Sequence, residues 1–495
     1  MKIDLMRKPV DYMETIIIML GENGDVGALE HLPKYVREAV AATIKEDEFK
    51  FDFAAVKSFS LLHAKKRSKV ILCGVGNLSE LTTNKMRETM AAAIRAALGA
   101  GAKEAWFFLG FESPMSEANL GHILAETALL VAYKFDKYLE DKKSPTLEAI
   151  HLAMVPKSSR NINRGILEGR IYAEATNLAR DLVNEPANVI YPETLADFAK
   201  KAALKYGFSI DVFNEDKLRR LKMEAFLSVS KGSEKEAKLI LMHYNGNPDP
   251  KAQTVALVGK GLTYDSGGYC IKTAQGMLTM KCDMAGAAAV IGTFAAISTL
   301  KLKVNVVGVI AACENMISGG AYHNGDIIRS MSGKTIEVIN TDAEGRLTLV
   351  DAIHYANSRM KVHKIIDIAT LTGAAAGALG NQITAVLGND DKMMAKMKEA
   401  ADHTGDLVWE LPLHKPYLES LRSEIADLKN GAPVAGAITA ALFIQEFVGS
   451  KPWLHLDIAG TSLKDKPNGV NPYGATGVGV RLLTQFLRTL GTKSA

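Results

Sequence analysis

The sequence predicts an α/β protein in which a smaller N-terminal α/β domain is joined by a helix to a larger C-terminal domain, whose central mixed sheet is flanked by helices. Three observations predict it. Short β-branched runs alternate with helical stretches along the chain, the pattern of strands that carry helices on their faces. In the second half the strand runs are apolar almost throughout, as strands covered on both sides are. The 495 residues also exceed one ordinary core, at roughly 100 to 200 residues per domain.

Taken in order, residues 1–157 form the first domain, with strands expected at Thr15 to Leu20, Val70 to Val75, Ala105 to Leu109 and Ala149 to Val155. Helices are expected at Leu81 to Leu98 and Glu117 to Tyr133. Pro156-Lys157-Ser158-Ser159-Arg160 reads as a hinge. Ile162, Ile166, Gly169, Ala173, Leu178 and Leu182 then keep helical spacing until Pro186 stops them, so 158–186 is a connecting helix. The second domain, 187–495, has strand runs at Ala237 to His243, Thr254 to Gly259, Val304 to Ala311, Lys364 to Ala369 and Trp453 to Ile458. Ala/Leu-rich helices are expected at Ala285 to Leu300, Arg346 to Ser358 and Gly436 to Val448.

Composition narrows the function classes. Fifty-nine Lys and Arg against 55 Asp and Glu leave +4, too little field for nucleic acid or an anionic membrane to be the main partner. The basic cluster Lys65-Lys66-Arg67-Lys69 precedes a strand run and reads as a solvated turn. Four cysteines without CxxC spacing read as reduced thiols of a cytosolic protein, with Cys270 and Cys282 as small packing residues. Ile16 to Leu20 is too short for a signal peptide, and Ala285 to Leu300 falls short of the roughly 20 residues a membrane span needs, so it reads as a buried helix. Gly74-Val75-Gly76-Asn77 lacks the third glycine of a dinucleotide turn and is assigned to structure.

The chemistry concentrates in two polar clusters. Asn340-Thr341-Asp342-Ala343-Glu344-Gly345-Arg346 puts two carboxylates two residues apart, which on an extended backbone face the same way and suit one cation. A solvated turn favouring the next helix's N-terminus is the bland alternative. The second cluster is Gly259 to Gly268, followed by Lys272 and Met280-Lys281-Cys282-Asp283-Met284. Its glycines permit tight bends at a strand end, where open α/β sheets place their sites. Asp265, Asp283, Asp342 and Glu344 form an oxygen-rich set without HExxH or another zinc-spaced His pair, and it suits two hard or borderline divalent ions. Two ions about 3.5 to 4 Å apart could clamp a water and polarise a carbonyl or phosphoryl oxygen, which is hydrolysis. Lys272 and Arg346 would stabilise oxyanion charge. On general grounds Lys260 is a salt-bridge partner before it is a nitrogen ligand. These arguments leave a peptidase and a phosphoesterase both open.

The motifs go further. Asn340 to Leu347 (NTDAEGRL), Gly259 to Gly268 (GKGLTYDSGG), Lys281 to Ala287 (KCDMAGA) and Asp367 to Ala374 (DIATLTGA) closely resemble the leucyl aminopeptidase (cytosol aminopeptidase, peptidase M17) family. Asn177 to Pro186 (NLARDLVNEP), His455 to Gly460 (HLDIAG) and Gly474 to Gly477 (GATG) add to the resemblance, which covers the chain from about 175 onward. It implies that Lys260, Asp265, Asp283, Asp342 and Glu344 are metal ligands, Asp265 and Glu344 bridging, so that Lys260 reverses its salt-bridge reading. It also implies that Lys272 polarises the scissile carbonyl and that Arg346 holds a bicarbonate acting as general base. Met280, Thr370, Gly373 and Ala459 would line the pocket for the first side chain, and the Leu371 backbone would contact substrate.

The activity so implied is a cytoplasmic two-metal aminopeptidase, with Mn²⁺ or Zn²⁺, in which a metal-bridging hydroxide releases leucine-like residues from peptides with a free α-amine. A homohexamer of two stacked trimers is the implied assembly. A DNA-binding architectural or regulatory role, known for some relatives, is the alternative, and an inactive relative would need a lost ligand. Tyr264 stands where phenylalanine is usual, and Tyr269-Cys270 replaces a more typical aliphatic-serine pair; neither is a ligand position.

Overall fold

The computed structural model describes residues 1–6, 12–22, 29, 32–46, 49–141, 147–153 and 158–491. The chain forms two compact units, Met1–Glu174 with Lys466–Pro472 and Ala175–Asp465 with Tyr473–Ala495. Pro156 and Lys157 of the expected hinge, and the last two residues of the strand expected to end at Val155, lie outside the described residues.

The first unit is built on a six-stranded sheet in the order β1 (Lys2–Leu5), β6 (Ala149–Ala153), β5 (Glu104–Leu109), β2 (Thr15–Leu20), β4 (Lys66–Gly74) and β3 (Val56–His63). All neighbours are parallel except β3 and β4. Every residue of β2 is buried, which is why its run is continuously apolar after Thr15. Helices α1 (Lys34–Glu46), α2 (Thr83–Gly99) and α3 (Glu117–Val131) connect the strands. Thr82 caps α2 by accepting from the Lys85 N–H, and Ser116 caps α3 by accepting from Asn119. The basic cluster departs from expectation: only Lys65 lies in the turn, while Lys66, Arg67 and Lys69 belong to β4. Ala64 and Lys65, at φ 47° and 63°, make the two-residue hairpin turn that lets the ladder reach back past Val70.

Helix α4 (Ser159–Asn184) leads into the second unit. There an eight-stranded mixed sheet runs in the order β15 (Val408–Glu410), β14 (Thr384–Gly388), β17 (Trp453–Asp457), β13 (Lys364–Ala369), β9 (Thr254–Asp265), β10 (Asn305–Asn315), β8 (Lys238–Asn245) and β7 (Ser209–Phe213). The middle four, β17, β13, β9 and β10, are parallel, and antiparallel pairings begin on either side of them. A small sheet of β11 (Ile327–Arg329), β12 (Thr335–Glu337) and β16 (Leu428–Lys429) stands apart.

Helices α5 (Pro192–Tyr206) and α14 (Val480–Gly491) both pack on α9 (Ala285–Leu300), which lies against β9, β10 and β13. Helices α7 (Glu224–Ser230), α10 (Gly345–Arg359) and α13 (Gly436–Val448) share one apolar core with residues of β8, β9 and β10. Helix α12 (Asp391–Thr404) and the short α6 (Glu215–Arg220), α8 (Ala274–Met277) and α11 (Gly373–Leu379) complete the unit. The stretch Met280–Leu300 is long and apolar enough to cross a membrane by length and composition, but 89% of its apolar window is buried inside the fold, as a core helix would be. The parallel strands β9, β10, β13 and β17 end at Asp265, Asn315, Ala369 and Asp457, and the chemistry gathers at these carboxyl ends.

Candidate metal centre

Strand β9 carries the first functional residues. Sequence reasoning ends the strand at Gly259 with a bend in the glycine-rich segment that follows, whereas the structure keeps the chain in strand as far as Asp265, paired with β10 through a register shift at Cys313 and Glu314. Gly259 and Gly261 therefore serve close packing rather than a bend. A Cβ on Gly259 would stand 2.8 Å from the Gly286 carbonyl oxygen, and one on Gly261 2.7 Å from that of Ala311. The bend falls at Gly267 and Gly268, where φ is +86° and +63°.

The Lys260 side chain is buried and its Nζ lies 2.9 Å from Asp283 Oδ1 and 2.9 Å from Glu344 Oε1, while donating to the Thr370 carbonyl at 2.9 Å. One ammonium group thus joins β9, the 3₁₀ turn Met280–Met284, the acidic loop before α10 and the end of β13. The salt bridge expected of Lys260 on general grounds is present.

Lys272 Nζ pairs with Asp265 Oδ2 at 2.8 Å and also with Asp342 Oδ1. Asp265 Oδ1 accepts from the Gly267 N–H at 2.9 Å and from Asn315 Nδ2 at 2.8 Å. Asn315 Nδ2 also donates to the Thr341 carbonyl, so one buried carboxamide ties the two acidic segments together. Asn430 holds the second segment from the other side: its Oδ1 accepts from the Ile339 and Asn340 N–H groups, and its Nδ2 donates to the Asn340 carbonyl at 2.6 Å.

Asp265, Asp342 and Glu344 each offer an oxygen within 4.8 Å of the other two. Asp283 stands outside that triplet and is linked to it through Lys260. Four carboxylates face two ammonium groups; Lys260, Asp265, Asp283 and Glu344 are buried, while Lys272 and Asp342 keep partial exposure. Burial, and then the Asp265 charge, pushes Glu344 above the usual carboxylate range; burial raises Asp283 and Asp342 as well. Burial alone would lower Lys260, but Asp283, Glu344 and Asp265 outweigh it and hold the ammonium well above its ordinary value; Lys272 is raised in the same way by Asp265 and Asp342. Burial is thus the first cause of the raised carboxylates, and the negative charge gathered around them is what raises the two ammonium groups. Asp283 Oδ2 and Glu344 Oε2 are buried with no hydrogen-bond partner. Hard oxygen donors with unused lone pairs, in surplus over nearby cations, fit divalent metal ions.

Arg346, in the first turn of α10, is 8% exposed and its Nε has no partner. Burial brings the guanidinium down to about 10, so it remains positive at neutral pH. It lines a cavity of about 580 Å³ together with Asp342, Asn340, Gly431 and Cys270. Cys270 is therefore not the buried packing residue expected: it is partly exposed, with its sulfur beside Asn324, whereas Cys282 is buried.

The remaining predicted positions lie at the ends of β13 and β17. Thr370 donates through Oγ1 to Asp283 Oδ1 at 2.7 Å, and Met280 opens the turn that carries Asp283. Leu371 and Ala459 each direct an N–H to the Asp457 carboxylate. Gly373 begins α11, and a Cβ there would meet only open space. Asn315, Asn430 and Asp457 are the residues that sequence reasoning missed. Asp457 sits inside the HLDIAG block, so its signal was available; Asn315 lies four residues beyond where β10 was expected to end, and Asn430 follows a two-residue strand with no sequence signature.

Residues 177–484 match the model of the cytosol aminopeptidase family catalytic domain, and residues 17–142 that of the family's N-terminal domain. The chain belongs to the cytosol aminopeptidase family. It is accordingly a hydrolase of the peptidase class. Within this family it is 47% identical over 453 residues to a probable cytosol aminopeptidase of Clostridium perfringens (strain 13 / Type A), covering 89% of this chain and 90% of that one. It is 39% identical over 500 residues to a probable cytosol aminopeptidase of Alkaliphilus metalliredigens (strain QYMF), covering 99% and 100%. Among solved structures, the bottromycin maturation enzyme BotP in complex with Mn superposes with a TM-score of 0.85 at 32% identity, over 97% of this chain and 100% of that one. The cytosol aminopeptidase fold and the acidic cluster therefore occur in one chain.

Proposed function

We propose that this member of the family is a two-metal aminopeptidase that releases leucine-like N-terminal residues from peptides bearing a free α-amine. The observation that carries the reading is the buried surplus of carboxylates, with Asp283 Oδ2 and Glu344 Oε2 unpartnered. Lys260, Asp265, Asp283, Asp342 and Glu344 would hold the ions, Mn²⁺ or Zn²⁺, with Asp265 and Glu344 shared between them. A relative solved with Mn supports this choice of residue chemistry. When bound, such ions supply an acidified water and a Lewis acid for the scissile carbonyl.

The chain's own groups would do the rest. Lys272, already positive beside Asp265 and Asp342, stabilises negative charge that develops on the carbonyl oxygen. Arg346, buried and unpartnered toward its cavity, holds an anion; a bicarbonate there would take the proton from the attacking water. Met280, Thr370, Gly373 and Ala459 shape the pocket for the first side chain, and the Leu371 backbone orients the substrate. The open space over Gly373 leaves room for a branched aliphatic group. We propose further that the boundaries 1–157, 158–186 and 187–495 separate an N-terminal domain, a connecting helix and the catalytic domain, that the assembly is a hexamer, and that the enzyme works in the cytoplasm, the compartment in its relatives' names.

Chelation should abolish hydrolysis of leucine amide, and Mn²⁺ or Zn²⁺ should restore it; activity indifferent to chelator contradicts the metal roles. Neither the family models nor the relatives' names support the DNA-binding alternative. A gel-shift series down to low salt with no retarded species would dispose of it.

A further inference from the structure

Asp457 ends β17 with its carboxylate buried, 2% exposed, and among the described residues no Lys, Arg or His pairs with it. Its charge is met instead by four hydrogen bonds. Oδ1 accepts from the N–H groups of Leu371 at 3.1 Å, Thr372 at 3.3 Å and Ala459 at 3.2 Å, and Oδ2 accepts from Thr372 Oγ1 at 2.7 Å. Thr372 Oγ1 in turn caps α11 by accepting from the Ala375 N–H at 3.1 Å. The far end of the same loop is fixed by the metal centre, where Thr370 bonds Asp283 and Lys260. Three consecutive residues, 370–372, are therefore held between the carboxylate cluster and the Asp457 carboxylate. An unpaired charge is costly to bury, and an uncharged residue could fill the end of a strand; a charge retained among backbone N–H groups fixes their positions.

We propose that Asp457 is a positioning residue that sets N-terminal side-chain specificity by holding the Thr370–Gly373 loop and Ala459 in register. This rests on the aminopeptidase reading above. The carboxylate touches no reacting atom. It gathers three N–H groups from the ends of two adjacent strands, so that the two sides of the side-chain pocket move as one. Without it the loop keeps its anchor at Thr370 and loses the one at Leu371 and Thr372. The pocket would widen and lose discrimination while the ion-holding residues stay in place.

The experiment compares kcat and KM of the intact, metal-loaded enzyme on leucine, alanine and phenylalanine amides for wild type, Asp457→Ala, Asp457→Asn and Thr372→Val. Mn²⁺ affinity is measured in parallel by titrating the metal-free protein. Asp457→Ala is expected to raise KM for the leucine substrate at least about 10-fold and to flatten the ranking of the three amides, with Mn²⁺ affinity within about 3-fold of wild type. Asp457→Asn keeps the acceptor oxygen and should restore most of the ranking. Thr372→Val, which removes both the hydroxyl's bond to Asp457 and its cap on α11 without changing charge or bulk, should shift the ranking in the same direction and serves if the alanine variant does not fold. An unchanged ranking in both Asp457→Ala and Thr372→Val, or an asparagine variant as impaired as the alanine one, overturns the proposal. A wild-type enzyme inactive on all three amides overturns the aminopeptidase reading and this inference with it.

Discussion

Gly345 packs so closely on Lys260 that a Cβ at Gly345 would stand 2.6 Å from the lysine Nζ. The glycine of the acidic motif is thus fixed by a side chain 85 positions earlier, because the ammonium that pairs with Asp283 and Glu344 occupies the space a side chain would need. Gly345→Ala should displace Lys260 and lower kcat/KM by about 100-fold, the scale of a misplacement near 1 Å at reacting groups. Steady-state kinetics on leucine amide checks it, and wild-type kinetics would show that the contact relaxes freely.

Lys260 balances two buried carboxylates whose outer oxygens have no partner. Replacing it with methionine leaves that charge uncompensated, a loss of about 3–5 kcal/mol for a broken buried pair. In chelator, Lys260→Met should therefore unfold on the order of 10 °C below wild type. Calorimetry of both proteins decides the matter, and equal midpoints would mean that the carboxylates take up protons without cost.

Arg346 faces its cavity without a partner of its own. If it holds the anion that accepts a proton, Arg346→Ala should lose roughly 10- to 1000-fold in kcat with Mn²⁺ affinity unchanged, within the range general bases and charge stabilisers supply. Added bicarbonate should stimulate the wild type in carbonate-free buffer and leave the variant unmoved. Equal stimulation of both would place the anion elsewhere.

Asp351, on α10 and away from the metal centre, is fully buried and accepts N–H groups from Phe226 at 3.0 Å and Met331 at 2.7 Å. Burial pushes its carboxyl up to about 7 against an ordinary 3.8. Because the folded protein holds this proton more tightly than the unfolded chain, the stabilising contribution is complete below pH 3.8 and is lost as pH rises through 7. The stability of wild type relative to Asp351→Asn should thus fall between pH 5 and 8, by on the order of 1–3 kcal/mol. Urea unfolding at those two pH values tests it, and a difference independent of pH would refute the shift.

Much of this was legible in the sequence because it depends on local pattern. The runs Thr15 to Leu20 and Lys364 to Ala369 are apolar because both faces are covered, and the structure returns them with the same bounds. The acidic residues announced themselves by sitting between apolar segments, and Asp265, Asp342 and Glu344 do converge. What escaped depends on partners distant in the chain. Gly259 and Gly261 looked like loop glycines, since nothing local shows that the Gly286 and Ala311 carbonyls press on them. Cys270 looked like packing until the fold placed it on the wall of the cavity holding Asp342 and Arg346. Asn430 works through hydrogen bonds some 90 residues away, which no spacing rule encodes.

The most direct measurement is a Mn²⁺ anomalous difference map from crystals of the enzyme soaked in that ion. Two peaks are expected, one among the oxygens of Asp265, Asp342 and Glu344 and the other within reach of Lys260 and Asp283. Density at neither place, in crystals whose protein hydrolyses leucine amide, would contradict the carboxylate cluster as the centre of catalysis.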